Sequence, residues 1–305
     1  MKRFIPTLIL AALAVLSTPA SAQEGPLAPV PVATQTIKDI DPALWVVSDS
    51  DTTIYLFGTV HILKPGLGWF DDGVKTAFDA SDTLVLEMIE PSAAEVGQIM
   101  ADLSIDKSGK KLRDKLTAED RVVYEAALPK VGLTPEVLDP LDPWAAAVNI
   151  YFAGLMRNGY DLTSGVETQL NAAAKAKNKQ IIGLETMRGQ LSIFDQLPAD
   201  IQIRYVVDTV KALDQIVPQT DRLVELWSAA DTDGVATIMN EGFDQLQLTE
   251  PLLTKRNANW ARWINQRMAK PGIVFMAVGA GHLAGPTSVQ VLLQAYGLTS
   301  SRVVY

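Results

Sequence analysis

Cysteine is absent from this 305-residue chain, and histidine occurs only twice. Without thiols there is no disulfide, no thiolate nucleophile and no thiolate metal site. A leader-linked lipid anchor, which needs a cysteine, is excluded too. Long apolar runs are also lacking: after residue 22 nothing approaches the ~20 continuous apolar residues that a membrane-spanning helix requires. No P-loop, G-x-G-x-x-G turn, G-x-S-x-G elbow or H-E-x-x-H motif is present. Positive charge is in deficit, with 26 Lys and Arg against 35 Asp and Glu and a formal net charge of −9. That balance suits neither nucleic acid nor anionic lipid as a partner. It favours solubility and is compatible with a cation site.

What is there begins with "MKRFIPTLILAALAVLSTPASA". A basic start, an apolar stretch and Ala20-Ser21-Ala22 form a secretory signal pattern, with cleavage expected after Ala22. The competing reading, a retained membrane anchor, requires a longer apolar segment. The expectation is therefore a periplasmic or secreted protein without stable membrane insertion. Residues 23–41 are Pro- and Ala-rich and read as an extended linker, leaving residues 42–305 as the folded domain.

Within that domain, "ALWVV", "SDSDT" and "TIYLFG" predict a β-hairpin. A helix follows at about 71–81, then "TLVLEMI" as a buried strand. Residues 91–160 read as mainly helical, with Thr117 and Asp120 resembling a capping box and Asp142-Pro143 starting a further helix. "GVETQLNAAAKAKN" predicts a helix leading into the strand "KQIIGLET". Two or three helices are expected over 187–241 and one long amphipathic helix over 250–270. The strand "GIVFMAVG", a helix over 286–296 and a final strand "RVVY" close the chain. Strands alternating with helices, in runs too apolar to face water, predict an α/β fold. Its mixed, largely buried sheet has flanking helices and a helical middle lobe.

Both histidines have glycine three positions earlier: Gly58 before His61 and Gly279 before His282. By chance that double match has a frequency on the order of 0.5%, so the two segments are read together. Each ends a predicted strand, where ligands of open α/β sheets sit and where glycine permits a sharp exit. The bland reading is a pair of hydrogen-bonded core histidines. Two histidines alone do not hold a catalytic metal, so a third ligand, usually a carboxylate, is expected; acid and base work without metal is the alternative.

Glu87 interrupts the apolar "TLVLEMI", a costly position unless the carboxylate is paired or binds a cation. Glu185 closes "IIGLET" and Glu167 lies in the first turn of a helix, where the helix dipole also accounts for an acid. On the helix predicted over 250–270, Leu253, Trp260, Trp263, Ile264 and Met268 share one face, completed by Arg256 or Asn257. Arg256 either snorkels to water or turns inward to a glutamate or a bound anion.

These residues carry a resemblance. "ALWVVSDSDTTIYLFGTVHIL", "LVLEM", "GVETQL", "IIGLETM", "LLTKRNANW" and "FMAVGAGHLAGPTSVQVLL" together are similar to the TraB/GumN family, which includes the Tiki-type proteases. The resemblance runs from about Pro42 to the C-terminus. It implies an α/β fold of the group that contains ChaN-like haem-binding and erythromycin-esterase-like (EreA) proteins. It also implies one site containing His61, His282 and Glu87, with Glu185, Arg256 and Asn257 close by. Tiki-type members are metal-dependent proteases using manganese or cobalt, with zinc also compatible. The resulting expectation is an exported metal-dependent hydrolase acting on a peptide or protein. His61, His282 and Glu87 would hold a divalent metal ion, Glu87 and Arg256 would serve catalysis, and Gly58, Gly279, Glu167, Glu185 and Asn257 would support the site. A metal-free hydrolase of esterase type and a non-catalytic peptide- or haem-binding protein are the alternatives.

Overall fold

The computed structural model describes residues 37–245 and 248–305. The expected signal segment and most of the expected linker, residues 1–36, lie outside the described residues. Eight strands occur among those described: β1 (Lys38–Asp39), β2 (Leu44–Ser48), β3 (Thr52–Thr59), β4 (Leu67–Gly68), β5 (Thr83–Met88), β6 (Gln180–Glu185), β7 (Gly272–Gly279) and β8 (Ser301–Arg302). Six form one sheet in the order β6-β5-β7-β3-β2-β8, and β1 pairs with β4 in a small parallel ladder. The four strands β6, β5, β7 and β3 run parallel, and β2 lies antiparallel to both β3 and β8. The fold is α/β with a mixed sheet, as the alternation of elements predicted.

The β2–β3 hairpin forms because the Asp49 carboxylate accepts the N–H groups of Asp51 and Thr52 at 3.1 and 2.9 Å. This side-chain turn is what acids in "SDSDT" do best. Period-two alternation then gives the sheet two apolar faces. Phe57, Leu84, Leu86, Phe275 and Ala277 join the core of the helical middle, which includes Trp144, Leu155, Phe194 and Tyr205. Ile54, Leu56, Val85, Val274, Met276 and Val278 face the helix Lys255–Met268 through Trp260, Ala261 and Ile264. The helical middle therefore shares its core with the sheet. Because both faces are covered, the strands read as continuous apolar runs.

Several element limits differ from the expectation. Four helices, not two or three, span the region after β6: Met187–Asp195, Ala199–Lys211, Leu213–Ser228 and Thr232–Gln245. One break falls at Ala212 alone (φ −105°, ψ 15°), a residue with no breaker signature. The expected single helix over 250–270 is a π-helical turn, Glu250–Thr254, followed by the helix Lys255–Met268. The expected helix over 286–296 shrinks to Val289–Leu293 with a 3₁₀ turn after it, because Gly285 turns the chain at φ 78°. Of "RVVY" only Arg302 is in a strand, although Val303 N–H still donates to Leu44 O at 2.9 Å. No helix among the described residues is long and apolar enough to cross a membrane.

Candidate functional site

β3 and β7 are neighbours in parallel register, with Gly58 opposite Val278 and Thr59 opposite Gly279. The two Gly-x-x-His segments thus leave adjacent strands side by side. Glycine at position 58 suits that closeness: a Cβ there would lie 3.1 Å from the Ala280 Cα, and the neighbouring turn would have to give by a few tenths of an ångström. Trp227 Nε1–H donates to the Gly58 carbonyl at 2.8 Å and ties the helix Leu213–Ser228 to the exit of β3. His282 follows on the 3₁₀ turn Ala280–Leu283. β5 carries Glu87 beside them, one residue before its end at Met88, and β6 ends with Glu185. Four parallel strands therefore deliver His61, Glu87, Glu185 and His282 to the same carboxyl-terminal rim, where α/β sheets place their ligands.

Glu87 shares the strand face of Val85 and is 6% exposed. Its Oε1 accepts the Gly279 N–H at 2.8 Å, and its Oε2 accepts Arg256 Nη2 at 2.5 Å and Gln190 Nε2 at 3.0 Å. Burial alone would raise its pKa, but the Arg256 guanidinium, the two imidazoles and the Gly279 N–H together outweigh burial and hold it at about 2. The charge of Glu87 is thus fixed across the neutral range. Helix periodicity turns Arg256, Asn257 and Trp260 inward together on Lys255–Met268. Arg256 Nε donates to both oxygens of Glu185 at 2.9 and 3.0 Å, and Nη1 donates to the Leu252 carbonyl at 3.0 Å. Trp260 lies under the guanidinium, 4.8 Å from its ring centre, and gives its Nε1–H to Glu185 at 3.0 Å. The snorkelling alternative for Arg256 does not apply.

The tautomer of His282 follows from its partners. Asn257 Nδ2 donates to Thr287 O at 2.8 Å, so Asn257 Oδ1 faces His282 Nδ1 at 2.5 Å and accepts its proton. Nε2 lies 3.0 Å from Arg256 Nη1, a group with protons to give and none to take. His282 is therefore neutral, with its lone pair on Nε2. Burial, helped by the Arg256 charge, pushes its pKa down to about 3.

His61 belongs to a second pair. Its Nδ1 is 2.5 Å from Glu167 Oε1, near enough for charge attraction but off the line of a hydrogen bond. Its Nε2 is buried without a hydrogen-bond partner. The Thr59 hydroxyl donates to the same Glu167 oxygen. Burial opposes charge on this imidazole, yet Glu167 and Glu87 together more than offset it and raise the pKa above the ordinary histidine value. Glu167 stands where it does because the helix Val166–Ala176 begins against the β3 exit. Val166 N–H donates to Val60 O at 3.1 Å, and a Cβ on Gly165 would meet the His61 carbonyl at 2.1 Å.

All the residues expected at the site lie on this rim. Glu87, Glu185, Arg256, Asn257 and His282 form one hydrogen-bonded network, and His61 with Glu167 lies within its electrostatic reach. Sequence reasoning missed Gln190, whose amide bridges Glu87 and Glu185 at 3.0 and 3.1 Å, and Thr59. Thr59 had a signal, a polar residue inside Gly-x-x-His; Gln190 had only its position just after a strand's end. Three carboxylates face one guanidinium and a neutral His282, so the centre keeps net negative charge whichever form His61 takes.

No set of three or more His, Asp or Glu side chains among the described residues converges as a ready metal cage. The donor chemistry nevertheless fits a divalent cation. His61 offers a buried, unpartnered Nε2, and His282 offers an Nε2 lone pair with Nδ1 anchored on an oxygen, the arrangement of metal-binding imidazoles. Glu87 supplies a carboxylate whose charge is fixed. The Arg256 guanidinium now rests on two of these groups.

Residues 43–302 match the model of the TraB/PrgY/gumN family. The chain is 21% identical over 253 residues to an uncharacterized protein of Escherichia coli (strain K12), YbaP, covering 83% of this chain and 92% of the relative. It is 22% identical over 263 residues to an uncharacterized protein of Treponema pallidum (strain Nichols), covering 80% of this chain and 78% of the relative. No solved structure matches.

Proposed function

The chain belongs to the TraB/PrgY/gumN family, and from that premise we propose that it is an exported, metal-dependent hydrolase that cleaves peptide bonds. One observation carries the reading: two buried imidazoles, each with Nδ1 against an oxygen partner, flank a buried ionised carboxylate in a net-negative centre. A centre short of positive charge is stabilised by a cation, and imidazole nitrogen with carboxylate oxygen is a donor set for divalent ions such as zinc, manganese or cobalt. His61, His282 and Glu87 would hold it. When bound, such an ion supplies Lewis acidity and a water of lowered pKa.

The chain's own residues divide the remaining work. Glu87, with a pKa of about 2, is a poor proton acceptor near neutrality and suits a ligand better than a general base. Arg256 is committed to Glu185, Glu87 and the Leu252 carbonyl, so it braces carboxylates of the site more than it attends a developing oxyanion. Asn257 fixes the His282 tautomer, and Glu167 with Thr59 steadies His61. A second reading, a metal-free hydrolase with His61 as base, is favoured by the Glu167–His61 pair and by Arg256 resting on His282 Nε2. Elemental analysis of protein purified without chelators, together with cleavage of a peptide library before and after EDTA, separates the two. Bound metal and EDTA-sensitive cleavage support the first; metal-free, EDTA-resistant hydrolysis supports the second.

A further inference from the structure

Arg256 makes four kinds of polar contact, and one differs in consequence from the rest. Nε on Glu185 and Nη1 on the Leu252 carbonyl satisfy acceptors outside the proposed ligand set, and Nη2 on Glu87 meets a carboxylate that has further lone pairs to offer an ion. The Nη1 contact to His282 Nε2, at 3.0 Å, occupies the one lone pair of a neutral imidazole. It is also dispensable to the arginine. Without it, the guanidinium keeps both oxygens of Glu185, Glu87, the Leu252 carbonyl and the Trp260 ring. His282 in turn stays oriented by Asn257 and by its ring contact with Trp260, 4.3 Å between centres. Both partners are anchored independently of the bond they share.

Building on the metal-dependent reading above, we infer that Arg256 is a built-in stand-in for the cation at His282. Its Nη1 caps the Nε2 lone pair in the cation-free protein and yields it when a divalent ion binds. Loading is then an exchange of one positive group for another. The imidazole never faces an apolar interior with an unsatisfied lone pair, which would carry the full desolvation cost of that atom. The exchange also selects ions. A cation that prefers water and carboxylate oxygen to imidazole has little with which to displace the guanidinium, whereas zinc or cobalt does.

The test uses the whole chain labelled with ¹⁵N-histidine, which gives only two imidazole spin systems because the sequence has two histidines. A His61→Gln variant assigns them. Zinc, being diamagnetic, is the probe. Expected in the cation-free protein is a His282 ring protonated at Nδ1, with Nε2 as a hydrogen-bond acceptor. On titration with zinc, Nε2 should move to a metal-bound shift while the Nδ1 proton persists. In parallel, Arg256→Met should bind zinc at least tenfold more tightly than wild type. If zinc moves His61 and leaves His282 Nε2 on its arginine, the exchange is refuted and the metal reading survives. If zinc moves neither histidine, both fall together. If Arg256→Met folds and binds zinc more weakly, the arginine supports the ion rather than standing in for it. Should that variant not fold, the wild-type spectra decide.

Discussion

Glutamine is the gentlest replacement for a glutamate judged by shape, and at position 87 it should be far from gentle. Both Glu87 oxygens accept hydrogen bonds, Oε1 from the Gly279 N–H and Oε2 from Arg256 and Gln190. Whichever way the amide is turned, its NH₂ meets a donor, and the buried Arg256 loses half of its counter-charge. The folded pKa of about 2 against 4.5 sets the scale. At about 1.4 kcal/mol per unit, the ionised form is worth about 3 kcal/mol to the fold. The sign follows from the direction: a depressed carboxylate stabilises above its unfolded pKa and loses that contribution as pH falls through its folded pKa. Glu87→Gln should therefore unfold about 3 kcal/mol more easily at pH 7, a fall of roughly 6–12 °C in Tm for a domain of this size. By pH 3 the wild type has lost over half of its advantage, and the two curves should converge, other carboxylates being common to both. Urea melts of both proteins from pH 7 to pH 3 make the comparison. A gap that stays constant over that range, or no gap at pH 7, refutes the assignment of the Glu87 charge. Peptide cleavage by the variant should be lost throughout.

The two histidines should behave as one unit. His61→Ala and His282→Ala should each release most of the bound metal, and the double variant should lose little more, as read by elemental analysis; full retention in both single variants would dissolve the shared site. Gly165→Ala should cost more than ~2 kcal/mol and lower activity, because the new methyl meets the His61 carbonyl at 2.1 Å although the backbone angles there are ordinary; a melt unchanged from wild type would show that the helix start can retreat freely. Asn257→Leu should free His282 Nδ1, destabilise by about 1–3 kcal/mol and weaken zinc binding in a competition titration; unchanged zinc affinity would mean the tautomer is set elsewhere. Exported protein should begin at Gln23 on N-terminal sequencing, and a retained Met1 in the membrane fraction would overturn the signal-segment reading.

The candidate rim was legible where the sequence broke its own rules. A carboxylate inside "TLVLEMI" and a cation inside the stripe Leu253–Trp260–Ile264 are local conflicts, and such conflicts mark sites. Gly-x-x-His was legible because histidine is otherwise absent. That Glu87 and Arg256 satisfy each other was not, since 169 residues separate them and only the sheet order brings them together. Gln190 was invisible because a polar residue early in a helix is unremarkable until two carboxylates are found above it. The break at Ala212 comes without the glycine or proline that would announce it, and Pro251, which does stand at the start of the π-helical turn, signals a helix start and not the widened turn that follows. The elements near Gly285 and Arg302 were overdrawn: Val289 and Leu293 are buried on one short helix only, and Val304 at the chain's end is 93% exposed.

β7 has a consequence for the order in which the molecule becomes itself. It is the seventh strand along the chain yet lies inside the sheet, between β5 and β3. Until residues 272–279 arrive, β3 and β5 cannot share a sheet in their final places. A ribosome would therefore have finished nearly all of the polypeptide before the central ladder could zip. Pairings of such sequence separation are slow, because loop closure must precede any reward. The partly made chain is left with two apolar strands wanting the same absent partner, a state that holdase chaperones recognise. Under the export proposed above, that delay would be protective: the charged centre would stay unassembled until residues 272–279 had been delivered.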